Sequence, residues 1–118
     1  MGMAIRGAGK VKKTSPMKTE LRVAEFYSSC ATRGRGKKFY PKLSEWALKS
    51  ASTSVRIVSF EGVSFVSPAF LDETVIRLAR EKPELVTGMS VSSLQPMARE
   101  RLRAICQKRD LPSPEISA

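Results

Sequence analysis

The sequence contains no histidine and only two cysteines, Cys30 and Cys106. Histidine is the side chain used most for acid–base catalysis near neutral pH and for binding zinc, copper or iron. Its absence argues against a metalloenzyme and against a catalytic triad, and we expect neither a metal nor another cofactor. Two cysteines are too few for a disulfide scaffold, so a reducing, cytoplasmic location is the default expectation.

Long apolar segments are also missing. The longest uncharged apolar stretch, around residues 63–71, is far shorter than the roughly 20 residues that a membrane-spanning helix needs. The basic segment 1–15 lacks the apolar core of a secretory signal. We therefore expect no membrane span and no secretory leader. A chain of 118 residues can bury one hydrophobic core but not two, which predicts a single folded domain.

Acidic residues are scarce relative to basic ones. The chain has 21 Lys and Arg against 11 Asp and Glu, for a formal net charge of +10. Basic surfaces attract phosphate groups without reading sequence, and such binding weakens steeply with salt. Nucleic-acid binding is therefore one hypothesis. The residues expected to bind nucleic acid or another anion are Arg33, Arg35, Lys37, Lys38, Arg99 and Arg103.

The hydrophobic periodicity predicts three strand–helix pairs. Strands are expected at 20–26, 55–60 and 86–91, and helices around 39–47, 68–82 and 98–109. Pro41 fits the first helix only within its first turn, since proline lacks a backbone N–H. The alternating order predicts an α/β layer fold, in which right-handed crossovers place helices on a small, mainly parallel sheet.

The composition divides the chain into three parts. Residues 1–19 are basic, rich in Gly and Lys, and without a sustained period, so they are expected to form a flexible arm. Residues 20–110 carry all the predicted elements and form the folded domain. Residues 111–118 contain two prolines and are expected to form a loose tail.

A catalytic cysteine is the third hypothesis that the sequence raises. Cys30 precedes Arg33 and Arg35, and neighbouring cations would lower the pKa of its thiol. A cysteine-phosphatase loop, however, places its arginine where this chain has Gly36. Cys106 lies on the apolar side of the last predicted helix, which predicts a small residue in the core. We therefore predict that the chain is not an enzyme.

The segment from Val55 to Leu78 resembles the centre of the STAS domain, named from sulphate transporters and anti-sigma factor antagonists. It is most similar to the STAS-like family of unknown function. The matching positions are Phe60, Gly62, Val63, Val66, Ser67, Phe70, Asp72 and Glu73. Ser59 stands where that family usually has Asp. The resemblance implies an α/β domain that binds proteins and has no catalysis of its own, with an ATPase of the histidine-kinase type or another regulator as its partner.

The resemblance places the docking surface at the start of the second helix. Ser67 and Pro68 form a strong helix-start signal, because the serine hydroxyl can accept a backbone N–H bond and proline suits the first helical position. The partner-binding residues expected are Ser67, Pro68, Phe70, Asp72 and Glu73. Phe70 is equally compatible with a core position.

The same comparison bears on regulation. In anti-sigma factor antagonists, a partner kinase phosphorylates a hydroxyl at this helix start and switches binding off. The two customary hydroxyl positions are occupied here by Pro68 and Ala69, which cannot accept phosphate. Ser67 is nearby, but its hydroxyl is expected to be engaged as the helix cap. We therefore expect a docking module without the usual serine switch.

Overall fold

The computed structural model describes residues 18–117; most of the basic arm expected over residues 1–19 lies outside them. These residues form four strands and five helices, with three consecutive helices between the second and third strands. The strands are β1 Lys18–Arg22, β2 Val55–Ser59, β3 Met89–Ser92 and β4 Glu115–Ile116. The helices are α1 Arg33–Lys49, α2 Pro68–Glu73, α3 Val75–Glu81, α4 Pro83–Val86 and α5 Pro96–Lys108, and a 3-10 turn spans Val23–Glu25.

The four strands form one sheet in the order β1-β2-β3-β4, and every neighbouring pair is parallel. The predicted α/β fold with a parallel sheet is confirmed, and β2 is a central strand as expected. Each crossover moves the chain one place in the same direction, and crossovers of one hand then put the helices on one face. On that face Val58 and Val91 are buried, whereas Lys18 and Glu20 of β1, in register with Val55 and Ile57, lie on the other face and are exposed.

The carboxyl-terminal segment 111–118, expected as a loose tail, instead adds β4 to the sheet. Val91 of β3 pairs with Ile116. The chain turns back after α5 because Asp110 adopts a positive φ of 54°, and the backbone N–H of Leu111 donates to the carbonyl of Cys106 at 2.8 Å. This αL ending of a helix is a common way to reverse the chain. The folded domain therefore extends beyond residue 110.

Helix α1 begins six residues before the apolar stripe that predicted it. The side chain of Thr32 accepts from the backbone N–H of Arg35 at 3.1 Å and caps the helix. The segment 33–36, which precedes the helix predicted around residues 39–47, is therefore its first turn. Pro41 then lies in the third turn rather than the first, and it occupies the exposed side of the helix.

The single helix expected over residues 68–82 is divided at Thr74. Its hydroxyl donates to the carbonyl of Phe70 at 2.8 Å, a bond that bends helices, and its backbone leaves helical angles with φ −121° and ψ −92°. Pro83, expected only to end the helix, opens α4. Val86 belongs to α4 rather than to a strand, and β3 begins after Gly88, whose φ is +84°.

An aromatic cluster joins α1, α2 and the end of β2 in the core. Phe39 and Phe70 stack with ring centroids 6.1 Å apart, and Phe60 meets Phe70 edge-on at 6.5 Å. All three rings are fully buried. This cluster fixes α2 at the carboxyl ends of the strands. Within residues 18–117, no helix combines the length and apolar character needed to cross a membrane.

Candidate interaction site

Two loops at the carboxyl ends of the strands are tied together beside the predicted docking surface. The backbone N–H of Cys30 donates to the carbonyl of Phe65 at 2.7 Å, and the N–H of Ser67 donates to the carbonyl of Cys30 at 2.9 Å. These two bonds make a short parallel bridge between Cys30 and Val66. The chain entering α2 is therefore held in place by the chain entering α1.

Ser67 caps α2 as the sequence predicts. Its hydroxyl accepts from the backbone N–H of Phe70 at 3.0 Å, and Pro68 occupies the first helical position. Ser67 is only 7% exposed, while Pro68 is exposed. The hydroxyl of Ser67 is thus engaged and almost inaccessible, whereas the ring of Pro68 faces outward.

Phe70 is a core residue. Its exposed fraction is 0%, and its ring contacts Tyr27 and Phe60 edge-on in addition to Phe39. The sequence leaves both a docking role and a core position open for Phe70, and the structure shows the core position. Phe70 therefore presents no surface to a partner and is removed from the docking residues.

Asp72 and Glu73 are bound by arginines of the same chain. One guanidinium nitrogen of Arg33 lies 3.0 Å from Asp72 and 2.6 Å from Glu73, and Arg109 lies 3.1 Å from the other carboxylate oxygen of Asp72. Burial by itself raises the pKa of Asp72, but the hydrogen bonds and charges of Arg33 and Arg109 outweigh it and lower this pKa. The acidic pair joins α1, α2 and the end of α5 and is already neutralised.

An apolar groove of about 230 Å³ runs beside Pro68, between the loop before α2 and the first turns of α5. We call it the α2–α5 groove. Its main lining residues are Phe65, Val66, Pro68, Leu71, Met97 and Arg101. Phe65 is 47% exposed and Met97 is 80% exposed, so both side chains offer apolar surface on the same groove. Gln95 closes one end by donating to the carbonyl of Ser64 at 2.9 Å.

Sequence reasoning missed the two exposed members of this groove. The apolar residues Val63, Phe65 and Val66 are expected to return the chain to the core. Val66 is buried there and Val63 packs against it, but Phe65 is exposed. Met97 does not belong to the apolar stripe of α5, and this is the only feature of the local sequence that indicates its exposure. The two side chains lie 32 positions apart in the sequence, so only the packing of α5 beside the start of α2 reveals that they share a groove.

The six basic residues proposed to bind anions are divided between α1 and α5, with α2 packed against both helices. Arg33 is held by the acidic pair. Arg35 donates to the carbonyl of Ser29 at 2.7 Å, and Arg99 and Arg103 donate to the carbonyls of Leu94 and Ile116 at 3.1 and 3.4 Å. Lys37 and Lys38 are exposed on α1.

Cys30 is fully buried, with an exposed fraction of 0%. Burial raises the pKa of its thiol to about 11, although the charge of Arg35 acts in the opposite direction. The expected lowering by neighbouring cations is present for Arg35, but removal from water outweighs it and the net pKa is raised. Among residues 18–117 there is also no group of three or more Cys, Asp or Glu placed to hold a metal ion.

No family model matches this chain, and neither a curated protein nor a solved structure matches it. The resemblance to the STAS-like family therefore stays a prediction. The confirmed part is the α/β architecture with its parallel four-stranded sheet.

Proposed function

We propose that the chain is a non-enzymatic regulatory module of STAS-like type that acts in the cytoplasm and docks a partner protein in the α2–α5 groove. The observation that carries the proposal is the pair of exposed side chains across this groove, Phe65 and Met97. By resemblance, the partner is an ATPase of the histidine-kinase type or another regulator.

The groove has the composition of a small protein-binding hot spot. Fully burying a Phe or Met side chain is worth about 1.5–3 kcal/mol, and a few such anchors dominate the energy of most interfaces. Arg101 is exposed at the rim and forms no ion pair with any residue of the part of the chain described. An apolar partner segment flanked by an acidic side chain fits both features.

The residues expected from the sequence then have different roles. Pro68 contacts the partner directly. Ser67 and Phe70 position the start of α2, through the helix cap and the aromatic cluster. Asp72 and Glu73 hold α2 against α1 and α5 through Arg33 and Arg109. Since the hydroxyl of Ser67 is engaged and nearly buried, the proposed module docks its partner without a phosphorylation switch at this position.

Affinity purification with two matched variants tests the proposal. Met97→Asp places a charge in the groove, and Leu48→Asp places the same charge on α1 at a side chain that is 64% exposed. Partners retained by the unchanged chain and by L48D should be lost with M97D, while both variants keep the thermal stability of the unchanged chain. Equal recovery of every partner with M97D would overturn the docking site.

A second candidate function is nucleic-acid binding by the N-terminal arm, the start of α1 and α5. Lys37 and Lys38 favour it, because both are exposed and neither forms an ion pair with another residue among 18–117. Fluorescence anisotropy with a labelled 20-nucleotide DNA or RNA provides the test. The affinity should fall at least tenfold between 50 and 200 mM salt, the dependence on salt that several phosphate contacts give. The double change Lys37→Glu and Lys38→Glu should weaken binding further. Absence of salt-sensitive binding would overturn this function.

A further inference from the structure

A second groove lies at the opposite edge of the sheet from β4. Among the described residues, β1 pairs on one side only, with β2. Beside it, a groove of about 390 Å³ opens between β1 and α1. Its apolar lining comes from Leu21 of β1, Trp46 of α1 and Phe26 after the 3-10 turn. We call this surface the β1 edge groove.

The apolar floor of the β1 edge groove is held in a fixed position. The indole N–H of Trp46 donates to the hydroxyl of Thr19 at 3.2 Å, so the ring is tied to the edge strand. Phe26 packs on Phe39 with centroids 5.5 Å apart and is still 40% exposed. Such a prearranged surface costs little ordering when a ligand binds.

Among the described residues, the one charged group of the β1 edge groove without an ion-pair partner is positive. Lys42, Glu45 and Lys49 line the groove on α1. Lys49 is paired with Glu45 at 3.2 Å. Lys42 lies over the ring of Phe26, with its nitrogen 5.1 Å from the ring centroid, and makes no ion pair with any other residue of the described range.

We propose that the β1 edge groove binds an extended segment of a partner protein as an added strand, in which every second side chain faces the groove and these are apolar apart from one acidic residue. An added strand takes its affinity from main-chain hydrogen bonds to a free edge and its specificity from alternate side chains that enter a groove. The apolar side chains would lie on Leu21 and Trp46. The acidic side chain, on the same face of the added strand and two residues from an apolar one, would approach Lys42.

The charge of the chain argues against its own N-terminal residues as the occupant. Residues 1–17 contain Arg6, Lys10, Lys12 and Lys13 and no acidic residue. A segment of that composition would bring further cations to Lys42 and Lys49. An acidic, apolar segment from another protein complements the groove instead. This proposal concerns a different surface from the α2–α5 groove and does not depend on it.

Trp46 is the only tryptophan of the chain, so its fluorescence reports directly on the β1 edge groove. The probe is a capped nine-residue peptide, titrated into the full chain, with serine at every even position and valine at every odd position except the fifth, which is aspartate. The control peptides contain the same residues grouped by type, lysine in place of aspartate, or a methyl group on every backbone nitrogen. The variants are Lys42→Glu and, as a matched charge change on the exposed end of α5, Lys108→Glu.

The probe peptide should give a saturable change in Trp46 emission, and each control peptide should bind at least tenfold more weakly. K42E should weaken binding at least fivefold, and K108E should leave it within twofold. Met97→Asp should also leave it unchanged, which separates this result from the test of the α2–α5 groove. The proposal would be overturned if the full chain did not bind the probe peptide. That holds also where the edge is occupied by the chain's own residues or by a second copy. Equal binding of the N-methylated peptide would also overturn it, because strand addition requires those N–H groups.

Discussion

A side-chain carbon placed on Gly36 would lie 2.9 Å from the Cβ of Glu73 and 3.1 Å from the carbonyl oxygen of Phe70. Gly36 is buried in α1, so α1 and α2 approach each other at this point without an intervening side chain. The contact sets the depth at which α2 sits in the fold. Because Pro68 and Leu71 of α2 form one wall of the α2–α5 groove, the shape of that groove depends on a glycine of another helix.

Gly36→Ala should lower the free energy of unfolding by about 1–2 kcal/mol, because overpacking a tight contact costs about 1–3 kcal/mol and exceeds the gain of up to about 1 kcal/mol from helix propensity. Urea denaturation of the full chain measures the change. Gly34→Ala is the matched control, since a carbon placed on Gly34 meets nothing within 4 Å. It should leave stability unchanged or raise it slightly. A G36A chain as stable as G34A would contradict the close approach.

Arg56 is a buried guanidinium whose partners are mainly backbone carbonyls. It is 4% exposed, and one of its nitrogens donates to the carbonyls of Ala47 and Leu85 at 3.1 and 2.9 Å. These carbonyls lie near the carboxyl ends of α1 and α4, where positive charge is favoured by the helix dipole. Burial lowers the pKa of Arg56, but arginine remains protonated in proteins.

Arg56→Met should therefore lower the free energy of unfolding by about 3 kcal/mol, because each buried carbonyl left without a donor costs about 1–3 kcal/mol. Arg56→Lys should recover part of this loss, since it restores one charge but fewer donors. Thermal or urea denaturation provides the measurement. Arg80→Met, at an exposed arginine of α3, is the control and should change stability by less than about 0.5 kcal/mol. An R56M chain of unchanged stability would show that the carbonyls find other donors.

Features encoded by neighbouring residues could be predicted from the sequence. The β-branched run of β2 and the Ser67-Pro68 start of α2 are local signals, and both appear in the structure where they were expected. The buried stripe of α5 follows from the spacing of Ala98, Leu102 and Cys106. In each case the side chains that decide the element lie within one or two turns of each other.

Features that depend on distant contacts could not be predicted. The first turn of α1 is glycine-rich and charged, and the close approach of Gly36 to α2 adds to the local cap of Thr32 in stabilising it. The two residues of β4 become a strand only because the turn at Asp110 returns them to β3. The α2–α5 groove needs Phe65 and Met97 to meet, and nothing in either local segment indicates the other.

Asp72 links α1 and α5 through Arg33 and Arg109, and its pKa in the folded chain is below its ordinary value of 3.8. A carboxylate with a lowered pKa stabilises the fold above its unfolded pKa, and this contribution is lost as the pH falls through the folded pKa. Asp72→Asn should therefore cost about 1 kcal/mol of stability at pH 7, the upper end of the range for a partly exposed ion pair. The difference between the two chains should persist down to about pH 5 and shrink at lower pH.

Urea denaturation at several pH values between 7 and 2 measures the difference between D72N and the unchanged chain. Glu61→Gln is the control, because Glu61 is exposed and forms no ion pair with residues 18–117. Its stability should follow that of the unchanged chain at every pH. A D72N difference that stays constant down to pH 2 would show that Asp72 acts through packing and not through its charge.

Cys30 should react slowly with thiol reagents in the folded chain. Only the thiolate is nucleophilic, and a fully buried thiol with a pKa of about 11 supplies very little of it at pH 8. Cys106→Ala isolates Cys30 as the only cysteine. In this variant the reaction with an aromatic disulfide reagent at pH 8 should be at least about 100-fold slower in buffer than in 6 M guanidinium, where the thiol is exposed with an ordinary pKa. A fast reaction in buffer would instead show an accessible thiolate and return catalysis at Cys30 to consideration.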